Sequence, residues 1–197
     1  YAGYFSKKMG LPINKLIVAT NQNDILHRAI SKGSYEAEKV SETISPSMDI
    51  QIASNFERLI FDLNNGDDQQ TSLDMKNIKE KGQYLINDDK LNKISENFLS
   101  ARMSEDETLE VIKKVYEKYS VVLDPHTAIG YGAFDKHNLK GNNIVLATAH
   151  PCKFPDAVSK AINLKSDLPK ELEFILNEKE DYDIVENNLE KIKNYIT

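Results

Sequence analysis

Leu16-Ile17-Val18-Ala19 is an unbroken apolar run that closes on Thr20 and a polar turn, Asn21-Gln22-Asn23-Asp24. Short continuous runs of this kind mark strands buried on both faces of a parallel sheet. The segment from Ile25 to Lys32 then reads as a helix. The same order recurs further along. Tyr119 to Leu123 predicts a strand that enters Asp124-Pro125-His126-Thr127 and a helix to His137. Asn143 to Ala147 predicts another, entering Thr148-Ala149-His150-Pro151 and a helix from about Pro155 to Ile162. Strand, polar loop and helix in repetition predict βαβ units. The fold class is therefore α/β: a partial parallel sheet with helices on its faces. Its strands at about 15–20 and 143–148 are expected to neighbour each other or lie near in one sheet.

Between these units the period changes to that of helices. Ile52, Phe56, Leu59, Ile60 and Leu63 share one helical face, as do Leu91, Ile94, Phe98 and Leu99. Ser104 and Glu107 form a capping box before Leu109, Ile112, Tyr116 and Tyr119. Residues 45–119 are thus expected to be a mainly helical insertion outside the sheet. Lys165 to Pro169 reads as a linker into C-terminal helices over 166–197, where Val185, Leu189, Ile192 and Ile196 form one stripe. At the other end, Tyr1 to Met9 reads as a helix without a cap before it, stopped by Gly10-Leu11-Pro12. A start inside a helix predicts that the chain is cut from a longer polypeptide.

Charge and cysteine content narrow the function. The 197 residues carry 25 Lys and Arg against 31 Asp and Glu, a net charge of −6. That balance argues against nucleic-acid binding, which needs a clustered basic surface. No apolar run approaches the roughly 18 residues that span a bilayer. The one cysteine, Cys152, excludes an internal disulfide and fits a reducing, cytoplasmic setting.

In open α/β sheets, ligands bind beyond the carboxyl ends of the strands. That rule selects Thr20, Asn21 and Asn23; then Asp124, His126 and Thr127; then Thr148, His150 and Lys153. Singly, Asn23, Asp24 and Asp124 also suit helix caps; converging on one edge, the clusters predict a ligand site. Ser45-Pro46-Ser47-Met48-Asp49 places hydroxyls and a carboxylate around a Pro before an amphipathic segment, either an anion-binding helix start or a plain capped turn. Gly130-Tyr131-Gly132 lacks the third Gly of a dinucleotide loop and reads as close helix packing. His126, His150 and Cys152 lack metal-ligand spacing.

Several stretches resemble bacterial threonine synthases. Tyr1-Ala2-Gly3-Tyr4 with Lys7-Lys8-Met9-Gly10-Leu11-Pro12 is similar to the segment after that family's glycine-rich phosphate loop. Leu16 to Leu26, Ser45 to Ile50, Ser54 to Leu59, Asp124 to Ala128 and Ala147 to Phe154 follow in the family's order. Cys152 stands where the family more often has Ala. The likeness runs to about Val158 and loosens in the closing helices.

The resemblance implies a fold type II pyridoxal-phosphate lyase that converts O-phosphohomoserine and water to threonine and phosphate. Residues 1–44 and 120–165 would belong to its cofactor-binding α/β domain. The Schiff-base lysine and the glycine-rich loop would lie in a missing N-terminal half, so the chain alone is expected to be inactive and its docking edge apolar and prone to self-association. Thr148 would face the pyridine nitrogen of the pyridoxal 5'-phosphate, with Asn21 as a further lining residue. Lys153, Arg58, Ser45 and Ser47 are candidates for the substrate's phosphate or carboxylate, and His126 lines the same site. The alternatives are a non-catalytic scaffold module derived from the fold, or another lyase of the type such as a serine or threonine dehydratase.

Overall fold

A computed structural model describes residues 1–197 and divides into two units, Tyr1–Ser166 and Asp167–Thr197. In the first unit α1 (Ala2–Lys8) leads through Gly10, at φ +100°, to β1 (Leu16–Thr20) and α2 (Ile25–Lys32). Next come β2 (Ser34–Glu36), α3 (Phe56–Leu63), α4 (Asp68–Lys81), β3 (Gln83–Leu85), α5 (Asp88–Asn97) and β4 (Phe98–Arg102). The helices α6 (Glu105–Tyr119), α7 (Pro125–His137) and α8 (Pro155–Ile162) complete it.

A short parallel sheet with helices around it is present, as expected, but its strands are not the expected pair. β1 pairs with β4 in parallel, Leu16 opposite Phe98 and Thr20 opposite Arg102. The 45–119 stretch is therefore not wholly outside the sheet. Phe98 and Leu99 continue the apolar spacing of Leu91 and Ile94, yet α5 ends at Asn97 and both residues belong to β4. Ile52 likewise lies outside α3 and is exposed, while Phe56, Leu59, Ile60 and Leu63 turn inward together.

The other two expected strands do not form. Tyr119 ends α6, and Ser120 adopts a left-handed cap at φ 56°. Residues 121–123 then run into Asp124 without a ladder partner. Residues 142–148 are irregular, with Ile144 90% and Leu146 71% exposed. A run becomes a strand only where a neighbouring backbone answers its N–H and C=O groups, and no strand of this chain does so there. A second pair, β2 with β3, is antiparallel and too short to announce itself in the sequence.

The core gathers α2, α3, α5 and the β2–β3 pair. Ile25, Ala29, Phe56, Ile60 and Ile94 are buried there, and the Tyr35 and Phe56 rings stack 4.8 Å apart. Tyr35 is fixed further because its hydroxyl accepts the Ala53 N–H at 2.8 Å. On the other side α6 packs on α7 and α8, burying Ile112, Val115, Ala128, Ile129, Ala133 and Val158. Gly132 permits this closeness: a Cβ there would press on Met103 and stand 3.2 Å from Val111 Cγ2 on α6. The expected capping box is made in full, Ser104 Oγ accepting the Glu107 N–H and Glu107 accepting the Ser104 N–H at 2.7 Å. Ser104→Ala is expected to destabilise by about 1 kcal/mol, read as a lower urea midpoint at unchanged slope.

The second unit contains a 3-10 segment, Lys170–Asn177, and α9 (Leu189–Ile196), capped by Asn188. Val185 falls outside that helix, and no residue of either segment is buried. No helix of the chain is long and apolar enough to cross a membrane.

Candidate functional site

Beyond the carboxyl end of β1 the chain turns through Asn21 and Asn23, both almost fully buried. Neither side chain caps α2, and the Asp24 carboxylate pairs with Arg28 at 2.8 Å instead. The Asn21 amide donates to Asp49 Oδ1 at 2.7 Å, Thr43 Oγ1 at 2.9 Å and Ser45 Oγ at 3.0 Å. Its oxygen accepts the Asn23 N–H at 2.8 Å. Asn23 Nδ2 also reaches Asp49, and Thr43 donates its N–H and hydroxyl to the two Asp49 oxygens at 2.8 and 2.7 Å. Asp49 thus holds the loop that leads into the 3-10 turn Pro46–Met48. This is a turn tied from below, not the start of an α-helix.

Asn21 thus spends both ends of its amide on groups of the chain itself. Ser45 is 1% exposed, with its hydroxyl between Asn21 and Thr43. Both residues shape the loop that presents Ser47, which is exposed.

A second cluster forms at the start of α7. Asp124, 1% exposed, caps the helix by accepting the His126 and Thr127 N–H groups at 2.9 and 3.4 Å. His126 Nδ1 lies 2.9 Å from the same carboxylate, and its Nε2 accepts the Ser47 N–H at 3.3 Å. The imidazole is buried and packs against the Phe154 ring, centroids 4.7 Å apart. The Thr127 hydroxyl donates to Asp124 and accepts the Thr148 N–H at 3.3 Å. Thr148 itself is exposed, and its hydroxyl has no partner in the chain.

The structure therefore brings Ser47, His126 and Thr148 together, with Lys153 one residue before Phe154 and exposed. Lys153 forms no ion pair, which leaves its charge for a ligand. Arg58 is not joined to this group; it is exposed on α3 with its guanidinium 5.9 Å from the Tyr1 ring. Asp49 and Thr127 act as supports: the sequence placed Thr127 among the strand-exit residues and Asp49 beside two serines, but not the bonds they make to Thr43 and Thr148. The spacing Asp-x-His-Thr after a polar cap was the available signal for Thr127; Asp49 had none beyond its place beside two serines.

A depression of about 520 Å³ lies away from these residues, beside β4, lined by His27, Ser100, Arg102, Glu107, Lys136 and His137. Its cations are already matched, Lys136 with Glu107 at 2.7 Å and Arg102 with Asp24 at 3.7 Å. Burial, with nearby Lys32, Arg102 and Lys136, lowers the His27 pKa despite Asp24. Nothing there converges on a ligand.

A family model described as threonine synthase, C-terminal, matches residues 127–196. The threonine synthase of Saccharomyces cerevisiae is 42% identical over 222 residues, covering 99% of this chain and 43% of that protein. That of Pseudomonas aeruginosa is 38% identical over 200 residues, covering 100% of this chain and 43% of its own length. The crystal structure of PLP-bound threonine synthase from Brucella melitensis superposes with a TM-score of 0.89 at 43% identity, covering 99% of this chain and 42% of that one. The yeast enzyme's structure gives 0.85 at 41% identity, with 99% and 44% covered. The chain belongs to the threonine synthase family. It spans less than half the length of the threonine synthases it matches. The likeness runs over the whole chain and takes in the closing helices as well.

Proposed function

We propose that this chain is the carboxy-terminal part of a threonine synthase. Joined to an amino-terminal half, it would form the site where O-phosphohomoserine and water become threonine and phosphate, with pyridoxal 5'-phosphate as cofactor. The observation that carries this reading is the convergence of Ser47, Thr148 and the region of Lys153 on the buried Asp124–His126 pair. The likeness to a PLP-bound relative gives that convergence its chemistry.

The residues fit the cofactor. Thr148 offers a free, neutral hydroxyl, suited to a pyridine nitrogen that is to stay largely unprotonated; an Asp there would hold that nitrogen protonated. Bound pyridoxal phosphate supplies the electron sink, and the protein supplies binding, orientation and electrostatics. Lys153 and Ser47 supply a cation and a hydroxyl for the phosphate or carboxylate of the substrate. His126 stands behind Ser47 and fixes its backbone. Arg58 stands apart from these residues, with its guanidinium over the Tyr1 ring. Asn21 and Ser45 act by holding the Ser47 loop.

The amino-terminal half is the partner in this reading. Ile144 and Leu146 offer it apolar surface next to Thr148, in a run whose backbone lacks a ladder.

The test supplies O-phosphohomoserine and pyridoxal phosphate to the chain alone and to one polypeptide carrying it behind its amino-terminal half. Equal amounts of threonine and phosphate are expected from the longer protein and none from the chain alone. Lys153→Ala in the longer protein should lower kcat/KM at least about tenfold, or about 1.4 kcal/mol. Threonine made by the chain alone, or phosphate released without threonine by the longer protein, would refute the proposal.

A further inference from the structure

Asp124 does more than a helix cap requires. A cap needs one oxygen to accept backbone N–H groups, and Asp124 Oδ1 does this for His126 and Thr127. The same carboxylate also takes the side chains of both residues, His126 at Oδ1 and Thr127 at Oδ2. A carboxylate only accepts, so each side chain must turn its hydrogen inward to it. Each must then turn a lone pair outward. For His126 that leaves the proton on Nδ1 and the lone pair on Nε2, where the Ser47 N–H arrives at 3.3 Å. For Thr127 it leaves an acceptor facing the Thr148 N–H, also at 3.3 Å. Ser, Thr or Asn at the cap would carry hydrogens of their own and could not dictate both directions.

Ser47 and Thr148 belong to distant segments, one 79 residues before His126 and the other 21 after Thr127. Phe154, at the end of the turn that carries Lys153, packs on the imidazole and keeps its plane fixed. Every link except Ser47 and Thr148 is buried or half-buried, so water competes little for these bonds.

We propose that Asp124 is a positioning residue that sets the polarity of two hydrogen-bond relays, through His126 to Ser47 and through Thr127 to Thr148. It thereby holds both sides of the site in register. The relays are a property of this chain; their use in turnover rests on Ser47 and Thr148 facing ligand, as proposed above.

The experiment uses Asp124→Asn, Thr127→Val and Thr127→Ser. Asn keeps an oxygen for the helix cap but puts an NH2 where an acceptor stood, and Val keeps the shape of Thr without its hydroxyl. Helical circular dichroism should stay unchanged in all three. In the wild-type chain, the nitrogen NMR spectrum of His126 should show the Nδ1–H tautomer alone. Asp124→Asn should mix in the Nε2–H form and speed exchange of the Ser47 amide about fivefold, the change expected when one hydrogen bond of ordinary net strength is lost. Thr127→Val should speed exchange at Thr148 about as much and leave Ser47 and the tautomer as they were, and Thr127→Ser should restore Thr148.

An Nε2–H tautomer in the wild type, or unchanged exchange at both amides in Asp124→Asn, would overturn the proposal. So would a Thr127→Val change that spreads to Ser47, because it would mean general loosening. The same variants in the longer protein separate the two claims. Lower turnover alongside the local changes supports both. Unchanged turnover with the local changes present leaves the relays standing and removes Ser47 and Thr148 from the ligand site.

Discussion

Gly33→Ala is expected to destabilise the chain by about 2–4 kcal/mol, through backbone strain and a clash acting together. Gly33 ends α2 in the left-handed region, φ +71°, and feeds directly into β2. A Cβ there would stand 2.9 Å from the Ile86 carbonyl oxygen. That neighbour cannot retreat easily, because the Ile86 N–H donates to the Gly33 carbonyl at 2.8 Å. Moving Ile86, itself in the core, would also pull on the β2–β3 pair and on Tyr35 and Tyr84. Gly82 provides the control. It ends α4 at φ +69°, with nothing within 4 Å of a built Cβ. Gly82→Ala should therefore cost only the left-handed conformation, about 1 kcal/mol. Urea unfolding of both variants reads the difference. Equal losses would mean that the approach to Ile86 relaxes without cost.

What the sequence made legible depended on how local the signal was. Asp124 and Pro125 mark the start of α7, and Ile25–Lys32 followed by Gly33 marks both ends of α2; each needs only a few adjacent residues. β4 stayed hidden for a physical reason. Leu91, Ile94 and Phe98 fall at helical spacing, so the pattern crosses from α5 into the strand without a break. The strand is specified by β1, which lies about 80 residues earlier, as the Lys15 bonds to the Ser95 and Glu96 carbonyls illustrate. Residues 143–147 failed in the opposite direction, since their composition suits a strand that this chain does not pair. In the site, residue types were legible but their hydrogen-bond assignments were not. Asn21 and Ser45 have the right chemistry for a ligand, yet their groups are consumed by Thr43 and Asp49. Only the fold decides which polar groups remain free, and among these clusters it leaves Ser47, Thr148, Lys153 and the buried Thr20 hydroxyl.

Asp74→Ala is expected to cost about 3–5 kcal/mol, the range for breaking a buried ion pair from one side. Asp74 is 5% exposed on α4 and joins that helix to β3 and α5. Its Oδ2 accepts from Asn64 and the Tyr84 hydroxyl at 3.0 Å each and lies 3.4 Å from Lys90 Nζ; Oδ1 accepts from Gln70 at 2.9 Å. Lys90 also donates to the Tyr84 hydroxyl at 2.9 Å. Removing the carboxylate would leave Lys90, only 17% exposed, without its counter-charge and Tyr84 without an acceptor. Asp74→Asn should cost less, about 1–3 kcal/mol, because one acceptor oxygen survives. The loss should also depend on pH. Burial alone would raise the Asp74 pKa, but hydrogen bonds from Asn64, Gln70 and Tyr84 and the charge of Lys90 outweigh it and hold it below the ordinary 3.8. A carboxylate depressed on folding contributes fully above its unfolded value and loses that contribution as pH falls through the folded one. Wild type and Asp74→Ala should therefore differ most at neutral pH and converge as the solution is acidified below about 4. Urea midpoints for both proteins at pH 7, 5 and 3 give the comparison, and the other carboxylates cancel because both chains carry them. A gap of the same size at all these pH values would show that Asp74 holds α4, β3 and α5 together by packing rather than by charge.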